Sequence, residues 1–416
     1  MRVLIVAPGS RGDIAPFTGL GSALRTAGHD VTIAGYAMFG GLATGSGLGF
    51  RPLPGDPRLL DAASWRQRGS GPVGAARLIR LVADHMRELH AGILTAARQG
   101  ADVLLLSGIS YAGGFHIGTA LGLPSIGLAL APVYPTRDFP PSTLTARNLG
   151  RIGNLAAGQI LAFLAAPALA RPVKELRAEL GLSRVSSRQA IIGLMDADRW
   201  PVFHGFSPSV VPRPADRRPG LEVTGYWWPA SPGTWTPPPE LADFLVAGPP
   251  PVFAGLGSMA PENAARLSDV IAEAARQAGT RVVIQAGRAG LTRPDEPPGQ
   301  SILIGDVPHD WLFPKMAALV HHAGAGTTAA GLRAGVPAIG VPMIGDQPFW
   351  AARLAALGIG PRPIPLRRLT APALAAALRD ATTRPSYLNR ARDLAARIAG
   401  EDGTRPVAQA LSRLPS

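Results

Sequence analysis

Residues 307–350 read VPHDWLFPKMAALVHHAGAGTTAAGLRAGVPAIGVPMIGDQPFW. At their centre an apolar run ends at His321-His322, a turn of Ala323-Gly324-Ala325-Gly326 follows, and Thr327-Thr328 open a helical pattern. The spacing predicts a strand over 318–321, a helix over 328–334 and a further strand over 338–341. A glycine turn that runs into a helix start aims backbone N–H groups and the positive end of the helix dipole at one spot, which suits a diphosphate. His322, at the strand end, has a ring nitrogen able to donate to a phosphate oxygen. The same residues also suit a plain strand-to-helix turn with Thr327 as N-cap, and the local sequence does not choose between the two. Metal binding fits less well. Adjacent residues in a strand point to opposite faces, and no carboxylate lies at a ligand spacing from His321 or His322.

The same alternation extends in both directions. Toward the N-terminus it predicts strands over 1–7, 30–35, 102–107 and 124–130, with helices over 14–27 and 112–121 and longer helical patterns within 73–99 and 148–180. Ahead of the opening stretch it predicts strands over 251–257, 281–285 and 301–304 and a helix over 262–278, and a last helical pattern occupies 386–414. Between 223 and 251 the pattern fails in WWPASPGTWTPPPE, which marks an interdomain connection. The expected fold class is therefore α/β. Two parallel-sheet halves, 1–228 and 251–385, are joined by a Pro/Trp-rich linker at 229–250, and a C-terminal segment, 386–416, is free to pack on either half. Ligands of such open sheets bind in the crevice at the carboxyl ends of the strands.

A chain of 416 residues is long enough for two domains. The formal charge of +13 raises the question of nucleic acid, but the basic residues are scattered, without an aromatic-interleaved stripe. Only Lys174 and Lys315 are lysines and the other 39 basic residues are arginines, so the charge reads as partly compositional and partly an attraction for an anionic ligand. With no cysteine, disulfides and thiolate chemistry are excluded. The N-terminus enters a strand directly, and the longest apolar stretch, 155–170, is interrupted by Gln159 and Pro167. The expectation is a cytoplasmic protein with at most peripheral membrane contact.

A second glycine turn, Gly9-Ser10-Arg11-Gly12-Asp13, follows the first strand. Its glycines allow a sharp turn and close approach of a ligand. Asp13 is its only acid, and a carboxylate there can take a proton from a hydroxyl or merely cap the helix expected at Ile14. Asp346-Gln347 pairs an acceptor with a donor, as recognition of vicinal hydroxyls requires, although it also suits the start of a helix. Phe39, Trp65, Met86, Tyr111, Phe115 and Phe139, with His116, are more readily core than ligand contacts.

HHAGAGTT, followed by RAGVP and GDQPFW, resembles the donor-binding signature of the GT-B glycosyltransferases, in particular the sterol-type and antibiotic-type enzymes of glycosyltransferase family 1. GSRGDIAPFTGLGSALRTAGHDVTIA, GLGFRPLPGDP, GYWWP, FAGLGSM and VPHDWLF are similar to the same group, in the same order. The resemblance implies two Rossmann-like domains facing a central cleft and an inverting transfer of a hexose, with glucose from UDP-glucose expected, to a hydroxyl of a sterol, polyketide or other lipophilic small molecule. It implies Asp13 as general base and no metal or other cofactor. Val307 and His309 would meet the nucleobase. Ser258, His322, Gly324, Gly326, Thr327 and Thr328 would hold the diphosphate, Asp346 and Gln347 the sugar, and Ser10 and Arg11 either the diphosphate or only their own turn. Ala325 and Ala330 stand where plant members have tryptophan and a ribose-binding glutamate.

Four other functions are weighed against this one. A deoxysugar transferase using a dTDP-sugar lies within the same class. A nicotinamide oxidoreductase is disfavoured because the first turn lacks GxGxxG and the second strand ends without a ribose-binding acid. An epimerase of the same fold would act on the donor without an acceptor, and a non-catalytic binding module would have no need of Asp13.

Overall fold

The computed structural model describes residues 1–55, 72–187, 192–230, 235–257, 264–287, 289–292, 297 and 299–414. Two sheets organise them. The first runs β3-β2-β1-β4-β5-β6-β7, with β1 Arg2–Val6, β2 Asp30–Tyr36, β3 Gly49–Leu53, β4 Val103–Ser107, β5 Ser125–Ala129, β6 Val202–His204 and β7 Leu221–Val223. The second runs β10-β9-β8-β11-β12, with β8 Val252–Gly255, β9 Val282–Gln285, β10 Ser301–Ile304, β11 Ala318–His321 and β12 Ala338–Gly340. All their pairings are parallel. This is the α/β architecture expected, with helices covering both faces, and it explains why the central strands are continuous apolar runs rather than alternating ones.

Strand order reverses direction at β1/β4 in the first sheet and at β8/β11 in the second. Those switch points open crevices beyond the carboxyl ends of β1 and β11. The two glycine turns read from the sequence leave from those ends. Register adds a detail, because His321 pairs with Gly255, which brings the residues just past β8 alongside those just past β11.

Apolar cores lie on both faces of each sheet. Val3, Ile5, Phe17 and Leu24 share one with Trp227, Val407 and Leu411, so the terminal helix Arg405–Ser412 packs on the first sheet. Leu319, Phe253, Phe313 and Trp350 share another with Phe206, Val210 and Tyr226, which come from the first half of the chain. The halves are also tied by polar contacts. Arg353 donates to the Val210 carbonyl at 2.6 Å, Trp227 Nε1 donates to the Gly403 carbonyl at 2.7 Å, and Ser207 Oγ donates to Glu401 Oε1 at 2.7 Å.

Several elements differ from expectation. The supposedly patternless segment contains the helix Pro239–Val246, with Pro238 as its N-cap and Pro239 at its first position, where a missing N–H costs nothing. The pattern over 386–414 is two helices, Pro385–Ala399 and Arg405–Ser412, because Asp402 accepts from the N–H of Thr404 and Arg405 and starts a new helix. Short β3, β6 and β7 and the helix Ala371–Thr383 were not expected at all. Among the described residues no single helix is long and apolar enough to cross a membrane.

Candidate functional site

On the second sheet the helix of the opening stretch is Ala325–Ala334, three residues earlier than its periodicity suggests, and its N-cap is Gly324 rather than Thr327. No side chain caps it, so the N–H groups of its first turn, from Ala325 to Thr327, have no intrahelical acceptor. Ala323, with φ +61°, makes the kink ahead of it. A non-glycine residue in that region is strained by roughly 1 kcal/mol or more, and the kink directs the first-turn amides into the crevice. Thr327 is half-buried at the third helical position, while Thr328 faces inward, with Oγ1 buried and unpartnered among the described residues.

The two histidines diverge. His321 is fully buried, and its Nδ1 accepts from the Ala323 N–H at 3.1 Å, which places the ring proton on Nε2. Burial pushes its pKa from 6.5 down to about 3. His322 turns the other way into a slot between two glycines. A Cβ on Gly324 would stand 2.4 Å from its Nε2, and one on Gly257, where φ is +68°, would stand 2.4 Å from its Cε1. Only glycine at both positions admits the imidazole. Its Nδ1 is buried beside the Gly255 backbone without a well-formed hydrogen bond, and burial lowers its pKa to about 4. His322 is therefore a neutral ring at neutral pH, held by shape rather than by a partner.

Farther along the rim, Val307 is buried and His309 stacks on Phe313 with centroids 4.2 Å apart. Burial, with the Arg11 guanidinium nearby, lowers the His309 pKa to about 4. Asp346 is the N-cap residue of the helix Gln347–Ala356, and its Oδ2 accepts from Trp350 Nε1 at 2.7 Å. Burial raises its pKa above the usual carboxylate value, and the negative charge of Asp13 adds to the rise. Gln347 Oε1 accepts from the N–H of Met343 at 2.8 Å and of Ile344 at 3.2 Å, which fixes the amide orientation and leaves Nε2 as the group free to donate. Ser258 lies outside the described residues, as does Trp65.

The opposing turn comes from the first sheet. Its helix is Arg11–Thr26 with Ser10 as N-cap, so Asp13 is the third helical residue and caps the helix from there, as the acid of a capping box, rather than as the N-cap of a helix starting at Ile14. Asp13 reaches back: its Oδ2 accepts from Ser10 N at 2.7 Å and from Ser10 Oγ at 2.8 Å. Gly9 makes room for this, since a Cβ there would stand 2.6 Å from the same oxygen. Asp13 is exposed, and its Oδ1 has no partner among the described residues. Arg11 crosses to the other half and pairs with Asp306, next to Val307.

The turns of the two sheets thus face one another over a single crevice, with a carboxylate on one side and open helix amides, a neutral imidazole, a half-buried acid and a buried amide on the other. Asp306, Gly257 and Trp350 belong to this arrangement and were missed in the sequence. Gly257, within FAGLGSM, gave a signal in its position just past a strand, and Trp350 gave one in its i+4 spacing from Asp346. Met86 and Phe115 are core residues, Tyr111 packs edge-on against Trp200, and His116 is buried against Arg177 at 3.0 Å. Phe39 packs at the edge of a core, and of these residues, among the described ones, only Phe139 reaches the other half, with its ring 6.1 Å from that of Phe349.

Residues 269–414 match the family described as erythromycin biosynthesis protein CIII-like, C-terminal domain. The chain is 34% identical over 419 residues to the O-mycaminosyltylonolide 6-deoxyallosyltransferase of Streptomyces fradiae, covering 97% of this chain and 95% of that protein. It is 33% identical over 376 residues to the sterol 3-beta-glucosyltransferase UGT80A2 of Arabidopsis thaliana, covering 88% of this chain and 58% of the plant protein's length. Among solved structures, the glycotransferase of kitacinnamycin superposes with a TM-score of 0.74 at 20% identity, covering 100% of this chain and 99% of that one. The glycosyltransferase VinC in complex with DTDP superposes with a TM-score of 0.67 at 21% identity, covering 99% of both chains.

Proposed function

Because the chain belongs to the glycosyltransferase family that includes the sterol 3-beta-glucosyltransferases and the O-mycaminosyltylonolide 6-deoxyallosyltransferase, we propose that it transfers a hexose, with inversion, from a nucleoside diphosphate sugar to a hydroxyl of a lipophilic small molecule. UDP-glucose is the proposed donor and a sterol, polyketide or related secondary metabolite the acceptor. The observation that carries this reading is the meeting of the two turns. Asp13 is near enough to Asp346 for its charge to act there, while Arg11 reaches Asp306 beside the nucleobase-side residues Val307 and His309.

The proposed chemistry uses groups already oriented. The diphosphate lies against the open amides from Gly324 to Thr328 with His322 beside them, where its developing charge meets donors that need no reorganisation. Gln347 Nε2 and Asp346 Oδ1, the atoms left over from local hydrogen bonds, hold the sugar hydroxyls. Asp13 Oδ1 accepts the acceptor's proton as its oxygen attacks the anomeric carbon from the face opposite the leaving group. Ser10 keeps the carboxylate aimed. This mechanism assigns no step to a metal or a further cofactor.

A dTDP-deoxysugar donor is the second reading, favoured by the match along nearly the whole length of the deoxyallosyltransferase and by the similarity to a structure in complex with DTDP. Mass spectrometry on protein incubated with UDP-glucose or dTDP-glucose and a panel of steroids, macrolides and phenolics decides between them. Asp13→Asn is expected to lower transfer by about 10²- to 10⁴-fold with the melting temperature nearly unchanged. A near wild-type rate would remove Asp13 from the role of base, and donor turnover without any acceptor would replace transfer by the epimerase reading.

A further inference from the structure

Residues 139–174 contain four cations, Arg147, Arg151, Arg171 and Lys174, and no Asp or Glu. Most of this segment is the helix Gly150–Glu179, which bends by 49° between Gly150–Leu164 and Ala166–Glu179, near Pro167. The second limb is ordinary: Val173 and Leu176 are buried in the first half's core. In the first limb Ile152, Ile160, Phe163 and Leu164 are 79%, 57%, 73% and 67% exposed, and Leu149 just ahead of it is exposed too. At 100° per residue these five side chains fall within about 120° of arc, a single apolar stripe. Surface helices normally turn a polar face outward, and a contiguous exposed apolar stripe marks an interaction surface.

The other face of this limb is committed to the protein. Gly158 packs on Pro135, and buried Asn154 accepts from the Leu149 N–H and donates to the Arg137 carbonyl. That loop leaves the carboxyl end of β5 and carries exposed Val133 and Leu144. It also carries Phe139, which touches Phe349 two residues beyond Gln347. The loop beneath the limb thus connects it to the half of the chain that carries Gln347. Its charge surroundings favour one partner: Arg147 and Lys174 form no salt bridge among the described residues, while Arg151 and Arg171 are offset only by Asp138 and Glu175 at the two ends. Apolar side chains flanked by cations match an anionic lipid surface, with the rings and aliphatic groups below the headgroups and the cations among them.

We propose that the limb Gly150–Leu164 docks in the interfacial layer of a bilayer containing anionic phospholipid, with the crevice mouth turned to the membrane so that a lipophilic acceptor enters from lipid. The acceptor route rests on the transfer reading above, whereas the docking itself does not. Vesicle flotation of the full chain tests it, using phosphatidylcholine with and without phosphatidylglycerol. The chain is expected to float with the anionic vesicles and to lose binding several-fold as salt is raised. Phe163→Glu combined with Leu164→Glu, and separately Ile152→Asp at the far end of the stripe, should each lower partitioning by about tenfold or more with the melting temperature retained. Equal flotation of wild type and these variants, or no flotation at all, overturns the proposal. So does a lipid-free dimer that the same substitutions dissolve, which would make the stripe a self-interface. Flotation that follows these expectations without sugar transfer to any acceptor would leave the docking standing and remove the transfer reading.

Discussion

The turn after β11 and the turn after β1 occupy equivalent places in two similar sheets, yet they are held in opposite ways. Around His322 one wall is tertiary, Gly257 from another strand end, and with neighbouring Gly324 it closes on two sides of a half-buried ring. Around Asp13 the contacts are local, with Ser10 three residues away supplying both hydrogen bonds to an exposed carboxylate. The difference suits the two tasks proposed. A diphosphate needs donors fixed in advance in a site of low dielectric, whereas a base must accept a proton and release it to solvent. It also teaches that a short glycine motif alone does not reveal whether its geometry is local or borrowed.

The contrast breaks most severely on the acid side. His309, His321 and His322 line the second turn, and burial holds all three below the ordinary value of 6.5, at about 4, 3 and 4. The first turn contains no histidine. Below pH 6.5 the unfolded chain takes up protons that the folded chain refuses, so stability is complete above 6.5 and is lost as pH falls toward 4 and then 3. For fully buried His321 the slope is on the order of 1 kcal/mol per pH unit. Urea unfolding between pH 8 and 4, a range of about four units on that same scale, should show the loss, and flat stability below pH 6 would mean these rings are not neutral in the fold.

Gly324→Ala is the next largest effect. The backbone there, at φ −65°, accepts alanine, so the cost is the collision with His322 alone. An expected loss of about 1–3 kcal/mol accompanies the forced shift, and a misplacement near 1 Å lowers transfer by about 100-fold. Donor titration by calorimetry should show the weakening directly, and unaltered binding would dismiss the slot around the imidazole. Gly9→Ala is the matching probe of the first turn and the smallest effect. Its Cβ would stand 2.6 Å from both Cβ and Oδ2 of Asp13, so the exposed turn itself must shift; because that turn is held only locally, stability should fall by about 1 kcal/mol while transfer falls by about tenfold as the carboxylate tilts. Equal damage from the two substitutions would erase the distinction between the turns.

Much of this was legible in the residues. Runs such as VLIV and LLLS, each followed by a glycine turn and an amphipathic pattern, announce parallel βα units because periodicity and turn preference are local quantities. The helix Pro239–Val246 was not legible as a helix, since three successive prolines outweighed a start signal that proline itself provides. The start of Ala325–Ala334 was misplaced because threonine and glycine are about equally good N-caps, so local preference does not choose between Thr327 and Gly324, and here the kink at Ala323 sets the entry angle.

By itself the sequence determined the two βα series, the two glycine turns and the chemical kinds of group each turn presents, because those follow from preferences acting over a few neighbouring residues. Only the tertiary structure decided that Gly257 walls the His322 slot and that Arg11 meets Asp306 across 295 residues of chain. Such pairings depend on the register of β8 against β11 and on how the two halves pack, and no local preference encodes either.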